Sequence, residues 1–237
     1  MGKTLGQVIT QVRELIGDYQ ETTYSAAAVI EAINFAQDLV IRTKGFKVGK
    51  RIYNIGAIPT GHFPSDYLAV KRIQIIEIAS SYVKNWYNPL NTDITDANDV
   101  VLKYLHESTM AHEDAVNETW QTSSNRTLPK RWVMSGNMEF TVVPPRMPSS
   151  YTAPEGYVAK VRLHYIQKAT EMLYTEDSVD PSIPDYYQDA IRYAAVAYLM
   201  EKDTDLKSQQ LKVEMMKSFS YHMEGGVPPI ATTEVDS

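Results

Sequence analysis

Residues 131 to 145 read RWVMSGNMEFTVVPP, and this stretch decides the fold class. Two short apolar runs, 131 to 134 and 138 to 143, flank Ser135, Gly136 and Asn137, residue types that reverse a chain at small steric cost. The reading is a β-hairpin that stops at Pro144 and Pro145, because proline has no N–H to give to a strand ladder. Working outward, residues 157 to 166 alternate, with Ala159, Val161, Leu163 and Tyr165 on one side. Upstream, 52 to 58 and 67 to 78 also carry period two, the latter thickening into Ile73, Ile75, Ile76 and Ile78 as a central strand would. The middle of the chain is therefore expected to be an antiparallel sheet. Residues 85 to 128 have no steady period and are read as insertion and loop, with a short helix over 95 to 106 and a polar run over 119 to 127.

The ends are helical. Thr4 can cap a helix carrying Leu5, Val8, Val12 and Leu15 on one face, and Gly17 can close it. Ser25 can cap a second with Val29, Ile33, Ala36 and Val40 in line and Arg42 and Lys44 at its C-terminal dipole. After Pro184, Tyr187, Ile191, Ala194, Ala195 and Tyr198 form a stripe, and Leu206, Val213, Met216, Phe219 and Met223 form another that ends before Gly225 and Gly226. The residues from 227 onward have two prolines and no period, as a disordered tail has. The expected class is α+β: terminal helices forming a bundle, an inserted antiparallel β-rich domain, and an extended C-terminal tail. The expected divisions are 1–48 for the N-terminal helical hairpin, 49–170 for the β-rich insertion, 171–224 for the C-terminal helices and 225–237 for the tail.

Composition narrows function by exclusion. The chain of 237 residues has no cysteine, which removes disulfide scaffolds, thiol nucleophiles and iron–sulfur clusters. No apolar run is long enough to span a bilayer, and residues 1 to 5 lack a basic-then-apolar leader, so a protein made in a cytoplasm, with no membrane partner, is expected. Gly-x-Ser-x-Gly, Walker and dinucleotide glycine patterns are absent. His106, Glu107 and His112 are the nearest approach to a metal motif, but histidines six apart do not share a helix face, and a solvated polar segment is the plain alternative. Acid pairs such as Asp177 with Asp180 and Asp185 with Asp189 flank a helix start, where they favour the dipole without any catalytic role. No catalytic, cofactor-binding or metal site is expected, and no cofactor.

Charge is unevenly placed. Arg42, Lys44, Lys47, Lys50 and Arg51 form a stretch without an acid, while 171 to 205 carries nine acids, Asp185 and Asp189 among them, against Arg192 and Lys202. With a net charge of -6 the basic stretch is a weak nucleic-acid footprint, and contact with the acidic region of a neighbouring copy is the more economical reading. The 16 tyrosines and 3 tryptophans are generous enough that Tyr82, Trp86, Tyr87 and Trp120 are candidates for an interface, with core packing as the alternative.

Together with the two N-terminal helices, the 131–145 hairpin, the run 184 to 195 (PDYYQDAIRYAA) and the link 201 to 205 (EKDTD) into a last helix resemble head-to-tail adaptor proteins of tailed phages, closest in pattern to those of short-tailed, podovirus-like phages. The resemblance implies a structural virion protein at the head–tail junction, assembled in the bacterial host cytoplasm. It would dock on the portal as a ring, of twelve copies, form part of the DNA ejection channel with transient passage of double-stranded DNA, and meet a tail nozzle, fibre or spike on its far side. By the same analogy Leu206, Val213, Met216, Phe219, Val227, Pro228, Pro229 and Ile230 would reach the portal, and Trp86, Tyr87 and Trp120 would face the tail. A tail-completion or scaffold protein of other stoichiometry, and a virion-associated hydrolase, stay open as alternatives.

Overall fold

Local chemistry starts and stops the first helices as the sequence requires. In the computed structural model the residues described are 2–20, 22–56, 59–79, 100–116, 120–121, 127–136, 138–173, 178–180, 182–201 and 203–224. Helix α1 (Leu5–Ile16) opens on a capping box in which the Thr4 side chain accepts from the Gln7 N–H and the Gln7 side chain accepts from the Thr4 N–H. It closes on Gly17, which takes a left-handed φ of 72°. Helix α2 (Ala26–Lys44) is capped by Ser25 and ends at Gly45. The chain divides into two compact units, one made of Met1–Lys47 with Gln167–Ser237, the other of Val48–Ile166.

The first unit also contains α4 (Asp185–Met200) and α5 (Leu206–Met223), the latter capped by the Asp205 carboxylate on the Ser208 N–H. Helix α4 packs against α1, α2 and α5. It is buried on nearly every side, and Ala190, Ala194, Ala195 and Ala197 are the small side chains that let three neighbours approach one helix. Tyr187, Ile191, Ala194 and Ala195 of the anticipated stripe are buried, and Tyr198 stacks on Phe35 with ring centroids 4.5 Å apart.

The second unit holds β1 (Val48–Asn54), β2 (Gly61–His62), β3 (Tyr67–Ala79), β4 (Val100–Glu107), helix α3 (Met110–Val116), β5 (Arg131–Gly136), β6 (Glu139–Val143) and most of β7 (Tyr157–Gln167). One seven-stranded sheet runs β1-β7-β3-β4-β5-β6-β2, and the expected antiparallel sheet is corrected at one place: β4 and β5 pair in parallel, because the segment between them, which includes α3, crosses back before β5 begins. Its core gathers Ile73, Ile75, Trp132, Phe140, Leu163 and Tyr165. The sheet nearly closes on itself: the Tyr53 hydroxyl of edge strand β1 donates to the His62 carbonyl of edge strand β2 at 2.5 Å, and the Tyr53 ring meets Phe140 edge-on at 5.2 Å. The fold is thus mixed α+β, with five helices and seven strands among the described residues.

The hairpin of 131–145 forms as read, pairing Trp132 with Val142 and Met134 with Phe140, and Met138 takes a left-handed φ of 61° beside the turn. Three local expectations fail. Residues 100 to 106 are strand β4 and not helix, because Val101 to Leu105 pair with Ile73 to Ile76 of β3, a partner that local spacing does not reveal; residues 95 to 99 lie outside the described residues. Strand β1 begins at Val48 and ends at Asn54, so Lys50 and Arg51 belong to it, because its ladder with β7 runs from Val48↔Ile166 to Asn54↔Lys160. Helix α3 lies where only loop was anticipated; the Thr109 hydroxyl accepts from the His112 N–H at its start.

A Cβ placed on Gly61 would lie 2.4 Å from the Tyr53 ring, whereas one on Gly6 meets nothing within 4 Å. Gly61→Ala should therefore destabilise the sheet unit by about 1 to 3 kcal/mol through overpacking at the closure, while Gly6→Ala should leave stability unchanged or slightly raised. Calorimetric melting of both variants reads this; equal melting temperatures would show that the closure is loose.

Candidate assembly surfaces

Helix α5 has two apolar stripes a helical half-turn apart. Met215, Phe219 and Met223 are buried on the side that meets α4, where the His222 ring lies 4.8 Å from Tyr193. Leu206, Val213, Met216 and Tyr221 point outward, with Leu206 74% and Val213 55% exposed. The sequence reading put Leu206, Val213, Met216 and Phe219 on one portal-facing stripe. The structure separates them: Phe219 is only 5% exposed and belongs to the core, because burial follows the 215–219–223 spacing. Along the outer face, shallow concavities are lined by Lys212, Val213, Met216, Lys217 and Tyr221, and by Gln209, Gln210 and Glu214. Val227, Pro228, Pro229 and Ile230 lie outside the described residues.

The charged candidates are differently committed. Lys47 Nζ lies 2.8 Å from Asp180 Oδ2, and that carboxylate is the centre of a buried cluster. It accepts from the Thr170 N–H at 2.7 Å and hydroxyl at 2.8 Å, and from the Ser182 N–H and hydroxyl at 2.8 and 2.5 Å. Burial pushes the Asp180 carboxyl up, but the hydrogen bonds from Lys47, Ser182 and Thr170 outweigh it and hold the group far below the ordinary carboxylate range. Asp189 is likewise engaged within its own chain, 2.6 Å from Lys3. Lys44 sits 5.3 Å from the centre of the Tyr187 ring, and Asp185 accepts from Gln188 at 3.3 Å. Arg42 lies in the last turn of α2, exposed, and Lys50 and Arg51 are exposed on β1, with Arg51 donating to the Tyr165 hydroxyl. Lys47 and Asp189 are thus internal pairs and not free surface charges.

Trp86 and Tyr87 lie outside the described residues. Trp120 is not an open aromatic: it is 3% exposed, packs with Val133 and Val143, and donates its indole N–H to Asp114 at 2.8 Å. Around it, Glu113 turns inward from α3. Burial raises its carboxyl, and the hydrogen bonds from Arg131 and Ser108 outweigh that and lower it. His106 and Glu107 are exposed on β4 and His112 on α3, and among the described residues no group of three or more His, Asp or Glu is placed to hold a metal ion. Sequence reasoning missed two further buried polar groups. Gln74 accepts from Arg162 and lies 3.0 Å from His164 within the sheet unit, and Asp18 accepts from Arg13 and from the N–H groups of Thr22, Thr23 and Tyr24. Only the Asp18 cluster is local enough to be heard in the sequence, as a turn following Gly17.

Among the described residues, then, the surfaces present apolar area on α5 and exposed charge on α2 and β1. The SU10 adaptor protein family matches residues 3–220, across both units, and the chain belongs to that family. Membership brings with it a head–tail connector-type role in the virion and contact with phage portal or tail proteins in general. No curated protein matches the chain. No helix among the described residues is long and apolar enough to cross a membrane.

The Asp180 cluster makes a signed prediction. A carboxyl lowered on folding contributes stability that is fully present above its unfolded value of about 4 and is lost as pH falls through the folded value. Denaturant midpoints of the helical unit should therefore fall steeply below about pH 4, and Asp180→Asn should flatten that fall while lowering stability at pH 7 by about 3 kcal/mol. Lys47→Glu should cost a similar amount, and Lys207→Glu, at an exposed position of α5, under about 0.5 kcal/mol. Equal effects of the two lysine changes would show that the Asp180 cluster does not depend on Lys47.

Proposed function

We propose that the chain docks on the portal as a ring of twelve copies, connects head to tail and lines part of the channel through which DNA leaves. The family match across residues 3–220 carries the reading, and the outward apolar stripe of α5 supports it, because such a surface is what an assembling subunit keeps for a partner. In this proposal residues 1–48 and 171–224 build the ring, the insertion 49–170 faces a tail nozzle, fibre or spike, and α5 with residues 225–237 meets the portal. Leu206, Val213 and Met216 with Val227, Pro228, Pro229 and Ile230 are its portal-facing residues, and Trp86 and Tyr87 its tail-facing ones. Arg42, Lys44, Lys50 and Arg51 lie toward acids of the next copy, Asp185 among them. A phage with a short tail fits the chain's pattern.

A net charge of -6 per copy gives a twelve-fold ring a total of about -72, and a negative wall repels a polyanion instead of holding it. Assembled rings should retain little double-stranded DNA at physiological salt, and tight, salt-sensitive retention would contradict a free channel. Electron microscopy of assemblies captured through a tag on this chain tests the ring directly: twelve-fold symmetry on a second ring is expected. A monomer, or three or six copies on a fibre, would return the chain to tail completion. Deleting residues 225–237 should abolish portal capture while the remainder stays folded, and Arg42→Glu with Lys50→Glu should weaken self-assembly at low salt.

A further inference from the structure

We infer that Arg192, with Tyr193 beside it, is a binding site for a carboxylate, the acidic side chain of another protein chain. Arg192 is half-buried on α4, and its guanidinium lies against the neighbouring ring, with Cζ 4.8 Å from the Tyr193 centroid and Nη2 donating to the Tyr193 hydroxyl at 2.9 Å. A guanidinium carries N–H donors on three nitrogens, in a planar fork. Among the described residues Nε has no hydrogen-bond partner and is buried, and Nη1 has none either but stays open to solvent. A partly desolvated cation without a counter-charge is costly. An incoming carboxylate offsets that cost through its charge and through a two-pronged hydrogen bond to the Nη pair.

Arg192 stands in the most acidic part of the sequence, and its helix neighbours still give it no acid. On α4 the side chains one turn away are Gln188 and Asp189 before it and Ala195 and Val196 after it. Gln188 is buried, donating to the Ile183 carbonyl at 3.1 Å and accepting from the Lys3 N–H at 3.0 Å. Asp189 is held by the Lys3 ammonium at 2.6 Å. Ala195 and Val196 are apolar and buried. The ring under the guanidinium is fixed in turn: Tyr193 is buried, its centroid lies 4.8 Å from that of His222 on α5, and His222 Nδ1 lies 2.9 Å from the Ser218 carbonyl. Because the Tyr193 hydroxyl accepts from Arg192, its own proton is left to donate beside the fork. The surrounding acids also select the ligand. A phosphate dianion meets about twice the repulsion that a singly charged carboxylate does in the same negative field, while the fork suits either shape. The site is separate from Arg42, Lys44, Lys50 and Arg51, and it holds whether or not the chain forms a ring of twelve.

The test uses the dilute full-length chain and two capped peptides, Gly-Glu-Gly and Gly-Gln-Gly, which differ by one carboxylate. Nuclear magnetic resonance follows the Arg192 Nε–H signal, assigned by its loss in Arg192→Lys. The glutamate peptide should shift that signal at least about ten-fold more than the glutamine peptide, because only the first brings a charge to the fork. It should also raise the melting temperature of the wild-type chain, an effect absent in Arg192→Met. Equal shifts from the two peptides would overturn the inference. So would tighter binding of inorganic phosphate than of the glutamate peptide, which would make the site one for phosphoryl groups. Circular dichroism checks that both variants are folded, and the peptide comparison on the wild-type chain decides the matter even if Arg192→Met does not fold. Sedimentation then identifies the source of the acid. Self-association weakened about five-fold by Arg192→Lys assigns the carboxylate to a second copy, and peptide binding with unchanged self-association assigns it to a different chain.

Discussion

One buried carboxylate holds the helical unit where its two chain segments meet. The chain leaves that unit after Lys47 and returns at Gln167, and the Gln167 N–H donates to the Lys47 carbonyl at 3.0 Å. Asp180 then binds both sides of the crossing, Lys47 on the outgoing segment and Thr170 on the returning one, and fixes Ser182 just before α4. Gln37 of α2 adds a fourth tie by accepting from the Asp180 N–H. An insertion of more than one hundred residues separates Lys47 from Thr170, so this cluster is what defines the helical unit as one piece. Removing any partner leaves a charge or hydroxyl buried without its match, which costs more than the intact pair contributes.

Around that anchor, α4 is the shared wall. Its alanines bring α1, α2 and α5 onto one axis, and Tyr187 and Tyr193 fill the edges while Phe46 and His222 meet them. Helix α5 is held by one apolar stripe and presents another. A helix of that kind has more apolar surface than a single partner uses, and the surplus is a stability cost unless something else covers it. The separation of Phe219 from Val213 and Met216 therefore divides the last helix into a part that folds the unit and a part available to a second surface.

The sequence announced what is decided within a few residues. The Thr4 and Gln7 capping box, the left-handed Gly17, the Ser25 cap and the 131–145 hairpin are all chemistry between near neighbours, and all could be read from residue type and spacing. Strand β4 could not, because Val100 to Leu105 carries apolar residues at a spacing that suits a helix until β3 is placed beside it. The inner stripe of α5 was misphased for a related reason: Val213, Met215 and Met216 are all apolar, and only the presence of α4 selects Met215 for burial. Lys47 looked like one more charge of a basic run, since Asp180 lies 133 positions away. Trp120 looked like an interface aromatic in a polar stretch, since the strands that bury it come later in the chain.

The near-closure of the sheet has a consequence at the scale of a virion. An open strand edge is a template for any other chain that offers free N–H and C=O groups, and the hazard grows with local concentration. Copies gathered into the proposed ring would be far more crowded than the same chain in dilute solution. With β1 and β2 brought together through Tyr53, Gly61 and His62, the two edge strands lie against each other, which leaves less open edge for another chain to pair with. A fold whose edges meet each other can be concentrated with less risk of turning into a fibril.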